Sequence, residues 1–518
     1  MLSQIKSKKT ISWLLMTIAT ASMLAVPSLV SADCGSDGHY IVGYYPSWKR
    51  AAMQNLSWNK LTHLQLAFGI PKSDGSFSFE GDWFTPQVVQ QAHDNKVRVT
   101  LSIGGWTGSN LFSTIMKSDS AKSTMTSSIV DYIRKNGLDG VDIDWEYPGR
   151  LGNDCNVFDP QNDTPNFEKY LRDLRGALDK EFGTDPTTRK LISLAVRVTP
   201  FDGPNGPLDD VSGIAESVDF ASVMAFDING AWSDTTGPNA PFEYIPGKGL
   251  SYSFKQAIDQ WLAAKWPADK LVAGTAFYGR AVETTQDMSK DTGNMYVAKK
   301  SGVPHGDKDD AYWYDTCART NSLSGVWQYA NLRGQGLLTS PTQAGGEWIR
   351  TFDEKSQTPW LFNPSTSYFI SYDDPQSLKH KAEYARNKGL KGMMTWSLNG
   401  DYQDELLDAL NTIGPLCHLD GTTSSAPPNK NPTQPSNPSG GGSSSPAPQQ
   451  PPTTAPPAQG GTCTVSGQMT CSSGKDSNGK DTTFKVCSNG SWISMPCGSG
   501  TGCYQSGDNQ IYCGAQTK

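Results

Sequence analysis

Asp142, Asp144 and Glu146 stand at alternate positions of the run Leu138-Asp139-Gly140-Val141-Asp142-Ile143-Asp144-Trp145-Glu146-Tyr147-Pro148. Successive side chains of a β-strand point to opposite faces, so these carboxyls share one face at spacings of about 6–7 Å, and Asp139 has the opposite parity. Carboxylates lined up in a desolvated place repel one another, and at least one must hold a proton near neutral pH. An acid kept protonated at working pH is a proton donor, so the spacing points to general acid catalysis. Two other uses of an acidic row were weighed against it. Magnesium or calcium would want further oxygen ligands from elsewhere, and Val141, Ile143 and Trp145 belong to a buried strand, not a solvated acidic edge. The expectation is a site with no metal and no cofactor.

A buried acidic row needs a covered sheet around it. Short β-branched or aromatic runs recur with helix-length spacers at 39–45, 61–68, 97–104, 138–145, 191–198, 217–226, 271–277 and 390–396. Eight strands alternating with helices predict an α/β fold, a (β/α)8 TIM barrel spanning residues 33–419. Several runs are apolar on both faces, as a doubly covered parallel sheet requires. An open doubly wound sheet has similar periodicity, but polar residues gathered at the carboxyl ends of so many runs favour the barrel. Roughly ninety residues separate the last two runs, more than a helix and its loops need. This stretch holds Tyr296, Tyr312, Trp313, Tyr314, Trp327 and Tyr329. It is expected to fold, over about 281–368, as an inserted α+β subdomain with its own core, forming one wall of a cleft.

Outside the barrel the composition changes. Lys6, Lys8 and Lys9 precede an apolar run broken by Pro27 and ending in Val30-Ser31-Ala32. That pattern reads as a secretory signal peptide over residues 1–32, and it is short for a membrane anchor. Residues 420–461 are nearly all Pro, Ser, Thr, Gly, Gln and Asn, too polar to offset the entropy of ordering, and read as a linker. Six of the ten cysteines then crowd into residues 462–518, a segment too small for a sizeable core and dependent on disulfides. Six cysteines allow 15 pairings, which stay open. Cys34, Cys155, Cys317 and Cys417 are scattered, and export makes both sets disulfide formers. Asn55, Asn162 and Asn489 open glycosylation sequons. A formal charge of −7 suggests neither a nucleic-acid partner nor a membrane surface.

The acidic run matches the DxxDxDxE signature of family 18 glycoside hydrolases, and other segments agree in order. Leu101-Ser102-Ile103-Gly104-Gly105-Trp106 resembles that family's SxGG motif. Met224-Ala225-Phe226-Asp227 resembles its MxYD motif, Phe277-Tyr278-Gly279-Arg280 its strand-seven sequence and Trp396 its strand-eight tryptophan. The resemblance implies a secreted chitinase, monomeric, acting on chitin and chito-oligosaccharides. It implies Glu146 as the acid, Asp144 orienting the substrate's acetamido group, Asp142 sharing a proton with Asp144, and Asp227 contacting the oxazolinium intermediate. That mechanism is the family's substrate-assisted exception to the two-carboxylate rule. Asp139 is read as a structural partner at the strand's start.

Trp106, Tyr147, Tyr278, Arg280 and Trp396 sit at or just beyond strand ends, where a barrel places its active site, and are read as sugar-binding. Trp396, Tyr45 and Phe68 also match family positions at or near the cleavage point, and Met224 opens the MxYD-like motif. One departs: the MxYD tyrosine is Phe226 here, and losing its hydroxyl should weaken stabilisation of the intermediate by about 1–3 kcal/mol. Residues 484–503 resemble the family 19 carbohydrate-binding modules of fungal chitinases, which implies Trp492, Tyr504 and Tyr512 as chitin contacts. The protein is thus expected outside the cell, associated with cell walls. An endo-acting N-acetylglucosaminidase on glycoproteins and a non-catalytic chitin-binding lectin are the two alternatives. The insertion and the module favour chitin over the first, and the presence of Glu146 weighs against the second.

Overall fold

A computed structural model describes residues 38–49 and 56–418, apart from 187, 316 and 318, with strand segments 423–424, 469–475, 481–488, 491–496, 501–507 and 510–515. In those segments it describes the backbone and the Lys485 side chain. The expected leader, Asn55, Asn489, the side chains of Trp492, Tyr504 and Tyr512, and the linker apart from Thr423–Ser424 lie outside the described residues. The chain divides into two compact units between residues 429 and 430.

Within the first unit, eight parallel strands form a closed ring: β1 (Tyr40–Pro46), β2 (His63–Pro71), β3 (Arg98–Gly104), β4 (Gly140–Asp144), β5 (Leu191–Val196), β6 (Phe220–Val223), β7 (Leu271–Ala276) and β8 (Gly392–Trp396). Neighbours pair in sequence order, and β8 pairs with β1 to close the barrel. The open-sheet alternative is therefore set aside. Helices Thr85–Asp94, Asp119–Asn136, Asp163–Phe182, Phe254–Ala263 and Pro375–Asn387 run between the strands. The helix Asp119–Asn136 shows how the sequence sets such an element. Ser118 caps it by accepting from the Ala121 amide, Ala121, Met125, Ile129 and Ile133 bury one face at four-residue spacing, and Gly137 ends it with a left-handed φ of 69°.

Strand parity divides the core in two. Ile41, Leu64, Leu101, Ile143 and Leu194 face outward into the layer under the helices. Val42, Tyr44, Ala67, Ala195 and Met394 face into the barrel, with Phe68, Met224, Phe226 and Trp396 partly buried above them. At the amino ends of the strands, the buried rings of Tyr40, His63 and Phe220 pack at 4.3–5.7 Å between centroids and plug the interior.

The insertion begins directly after β7. Strands Val326–Gln328, Tyr278–Glu283, Tyr368–Ser371, Thr358–Asn363 and Ile349–Asp353 form, in that order, a five-stranded antiparallel sheet, and the short helix Tyr329–Gly334 completes an α+β unit. Its own core includes Val282, Met295, Trp360, Phe362 and Phe369. Of the aromatics expected to build that core, Trp327 and Tyr329 are buried, whereas Tyr312, Trp313 and Tyr314 remain 69%, 38% and 57% exposed. A disulfide joins Cys155, in the loop after β4, to Cys317 of the insertion, and Cys417 is also disulfide-bonded. Among the described residues no helix is long and apolar enough to cross a membrane.

In the second unit, Met469–Lys475, Asp481–Ser488 and Ser491–Pro496 form a three-stranded antiparallel sheet, and Thr501–Gly507 pairs with Gln510–Ala515. The backbone of Trp492 lies opposite Cys487.

Candidate active site

The register sets Ser102 of β3, Asp142 of β4 and Ser193 of β5 at one level. Asp142, fully buried, accepts from the Tyr44 hydroxyl at 2.8 Å and from Ser102 and Ser193 at 2.7 Å each. Gln65 donates in turn to Ser193 at 2.8 Å. One level higher, Asp144 is also buried, and its Oδ1 has no hydrogen-bond partner among the described residues. Glu146, 8% exposed, comes next, just past the end of the strand.

Backbone contacts explain the glycines of the flanking motif. A Cβ on Gly104 would stand 2.0 Å from the Asp144 carbonyl oxygen, and the Gly105 amide donates to that oxygen at 2.9 Å. The peptide of Glu146 is held from both sides. Its N–H donates to Ser109 Oγ at 2.9 Å, and its carbonyl accepts from the Asn156 amide at 2.8 Å. Ser109 opens the short 3-10 turn Ser109–Leu111 and Asn156 lies in a loop; neither falls in a strand or α-helix period, so they could not be read from the sequence.

Burial dominates the charge state of the row. It pushes Asp142 above the usual carboxylate range, with the Ser193, Ser102 and Tyr44 hydroxyls pulling back. Asp144 is pushed well above that range by burial, then by the neighbouring Glu146 and Asp142 charges. Glu146 is pushed up to about 7 by burial, tempered by a hydrogen bond from the Tyr147 hydroxyl and assisted by the Asp227 charge. A carboxyl so placed can still hold its proton near neutral pH.

Around the acids lies an aromatic and ionic rim. The half-buried Trp396 ring stacks on Phe68 at 5.4 Å and 14° and meets Tyr44 at 5.6 Å, making a floor. Exposed Trp48 leans on both Phe68 and Trp396, at 6.3 and 6.5 Å. Phe226 packs edge-on against Tyr278 at 6.2 Å. Arg280 grips Asp227 with two hydrogen bonds of 2.9 and 2.8 Å, and its guanidinium lies over Trp232 and Tyr278. Trp106 stands beyond the end of β3, 46% exposed.

A family profile described as "Glycosyl hydrolases family 18" matches residues 40–401. This chain belongs to that family. It is 32% identical to a chitinase-like effector of Moniliophthora roreri over 76% of this chain and 98% of the relative. It is 29% identical to chitinase A1 of Niallia circulans over 81% of this chain and 65% of the relative. Among solved structures, a chitinase from Rhizomucor miehei aligns with a TM-score of 0.66 at 34% identity, covering 72% of this chain and 99% of that one.

Against this family 18 barrel, the residues singled out in the sequence fall into three groups. Asp142, Asp144, Glu146 and Tyr147 share one strand end. Phe68, Met224, Phe226 and Trp396 share the upper interior, while Tyr278, Arg280 and Asp227 form one contact set beside them. Tyr45 is a correction. It is buried in the outer layer, its hydroxyl donating to the Lys49 carbonyl, because strand parity turns Tyr44 inward and its neighbour outward. Asp139 is placed at the start of β4, accepting from the Val99 amide at 2.7 Å and pairing with His93 at 2.8 Å. Trp48 and Trp232 were missed; Trp48, exposed two residues past the end of β1, is a signal in itself, whereas Trp232 lies in the loop nine residues past β6, where no pattern marks it. Among the described residues no cluster of His, Cys, Asp or Glu is arranged to hold a metal.

Proposed function

We propose that this family 18 protein is a secreted chitinase that cleaves β-1,4 bonds between N-acetylglucosamine units with retention of configuration. Glu146 gives its proton to the glycosidic oxygen. Asp144, through the oxygen left without a partner, holds the N–H of the substrate's own acetamido group, whose carbonyl oxygen attacks the anomeric carbon. Water, deprotonated by Glu146, then opens the oxazolinium ion. Trp396 underlies the sugar at the cleavage point, where its ring faces the apolar CH surface of the pyranose. Asp227, fixed by Arg280, faces the intermediate.

The observation that carries this reading is the graded row: an acid held near neutral pH next to a deeply buried carboxyl with an unused oxygen. The disulfide Cys155–Cys317 fits an oxidising compartment outside the cell, in keeping with the leader. We assign the segment from 462 to 518 to chitin binding through Trp492.

Incubating the full chain with a chitin hexamer and with a high-mannose glycopeptide tests the assignment. Early release of β-anomeric oligomers from the hexamer is the expected result. Cleavage of the glycopeptide alone would reassign the substrate. A second reading has a specific motive, the relative described as a chitinase-like effector: binding without turnover. Hexamer binding with no products at any pH from 4 to 8 would favour it.

A further inference from the structure

Cys155 and Cys317 join two loops that arise on different sides of the barrel mouth. In the ring order β4 stands four strands from β8 and three from β7. Cys155 lies in the loop leaving β4, and Cys317 in the insertion between β7 and β8. Each side of the bridge is anchored close to the acids.

On the β4 side, Asn156 beside the bridge donates to the Glu146 carbonyl at 2.8 Å, and a Cβ on Gly152 would stand 1.9 Å from the same oxygen. The loop therefore lies directly on the peptide of the acid. On the other side, strands Trp313–Asp315 and Thr320–Ser322 pair as a hairpin. At its base, Asp310 accepts from the Ser324 and Gly325 amides and the Ser324 hydroxyl at 2.7–3.1 Å. Arg280, the partner of Asp227, donates to the Ser324 carbonyl at 3.3 Å. Seven residue steps separate Asp310 from Cys317, a reach of at most about 23 Å at full extension. The hairpin is thus tied at its base to the partner of Asp227 and at Cys317 to the loop that lies on Glu146, so it links the two sides of the mouth. It also carries exposed Tyr312, Trp313 and Tyr314, and the loop it meets exposes Leu151, Val157 and Phe158.

We propose that the Cys155–Cys317 bridge converts the cleft into a covalently closed passage, so that a chitin chain enters by an end and is threaded, with the hairpin aromatics offering it stacking faces. The inference rests on the assignment of chitin as substrate. It accounts for exposed aromatic rings on a segment that contributes nothing to the insertion's core.

The test uses the full chain with Glu146→Gln and Trp492→Ala, so that binding is read at the cleft alone and without turnover, and a long chito-oligosaccharide biotinylated at both ends. Binding is measured by calorimetry with the ends free or capped by streptavidin, in the bridged protein and in the Cys155→Ser/Cys317→Ser double variant. Capping should weaken binding at least about tenfold in the bridged protein and no more than about twofold in the unbridged one. An equal effect of capping in both proteins, or equal binding of free and capped chains by the bridged protein alone, overturns the passage. The second criterion needs no folded variant. Absence of any binding to the free chain overturns it as well. If the contrast holds but the unmutated chain leaves the uncapped sugar uncut, the hydrolase reading fails and the passage stands.

Discussion

Asp142 accepts from three hydroxyls while Asp144, among the described residues, keeps one oxygen unpartnered, an asymmetry that suits the proposed roles of fixed support for the lower carboxyl and substrate contact for the upper one. Above them Glu146 works as an acid only while protonated. Turnover of a soluble oligomer should therefore fall about tenfold per pH unit above about 7, which a kcat/KM profile would reveal. The same shift enters stability. With its folded-state pKa raised from 4.5 to about 7, Glu146 adds stability that is fully present below 4.5 and lost as pH rises through about 7. Glu146→Gln should then cut kcat by roughly 10²–10⁴ while leaving hexamer affinity nearly unchanged. It should also raise the melting temperature at pH 8 more than at pH 5, and an unchanged difference between those two pH values would contradict the assigned protonation. Phe226→Tyr should raise kcat by roughly five- to a hundredfold, the equivalent of about 1–3 kcal/mol. A rate unchanged by the added hydroxyl would mean that another group already fills that place. Period-two alternation made the three acids legible. Tyr45, in contrast, was carried over from the family resemblance, and strand parity places its neighbour Tyr44 inside instead.

The strands were legible because their outward positions are mostly apolar and several inward ones are too, although Gln65, Ser102, Asp142 and Ser193 interrupt the runs on the inner face. The insertion's limits were less so. Its first strand, Tyr278–Glu283, follows β7 with one residue between them, and nothing in composition marks where a parallel strand yields to an antiparallel one. Nor does aromatic content distinguish ring packing from ring display, as the exposed Tyr312–Tyr314 stretch demonstrates. What fastens the insertion to the barrel is equally silent in the sequence. Lys381, on the helix Pro375–Asn387, is fully buried and donates to both oxygens of Asp373 and to the Ala240 carbonyl, each at 2.7 Å. Asp373 sits just past the insertion's strand Tyr368–Ser371, so this pair ties sheet, helix and the stretch beyond β6 together. Lys381→Met strands a buried carboxylate and should cost about 3–5 kcal/mol in denaturant unfolding. A loss below about 1 kcal/mol would show that the site rehydrates.

At the scale of the whole chain there are two compact units, to which the proposed function gives different tasks at the polymer. Ending the chain after Leu419 should leave hydrolysis of soluble oligomers within about twofold and lower the rate on insoluble chitin roughly tenfold or more, since a tethered binder raises local concentration without touching the chemistry. Equal losses on both substrates would mean that the second unit supports folding of the first. The plug of Tyr40, His63 and Phe220 has its own consequence for the order of events. A vessel stoppered at its foot can be filled only from its mouth. On the proposed mechanism the solvent molecule that ends each cycle has to arrive along the cleft, on the side the departing sugar has just left, and a second sugar waiting there competes with it. At high oligomer concentration, products longer than the starting material should accumulate before they too are consumed.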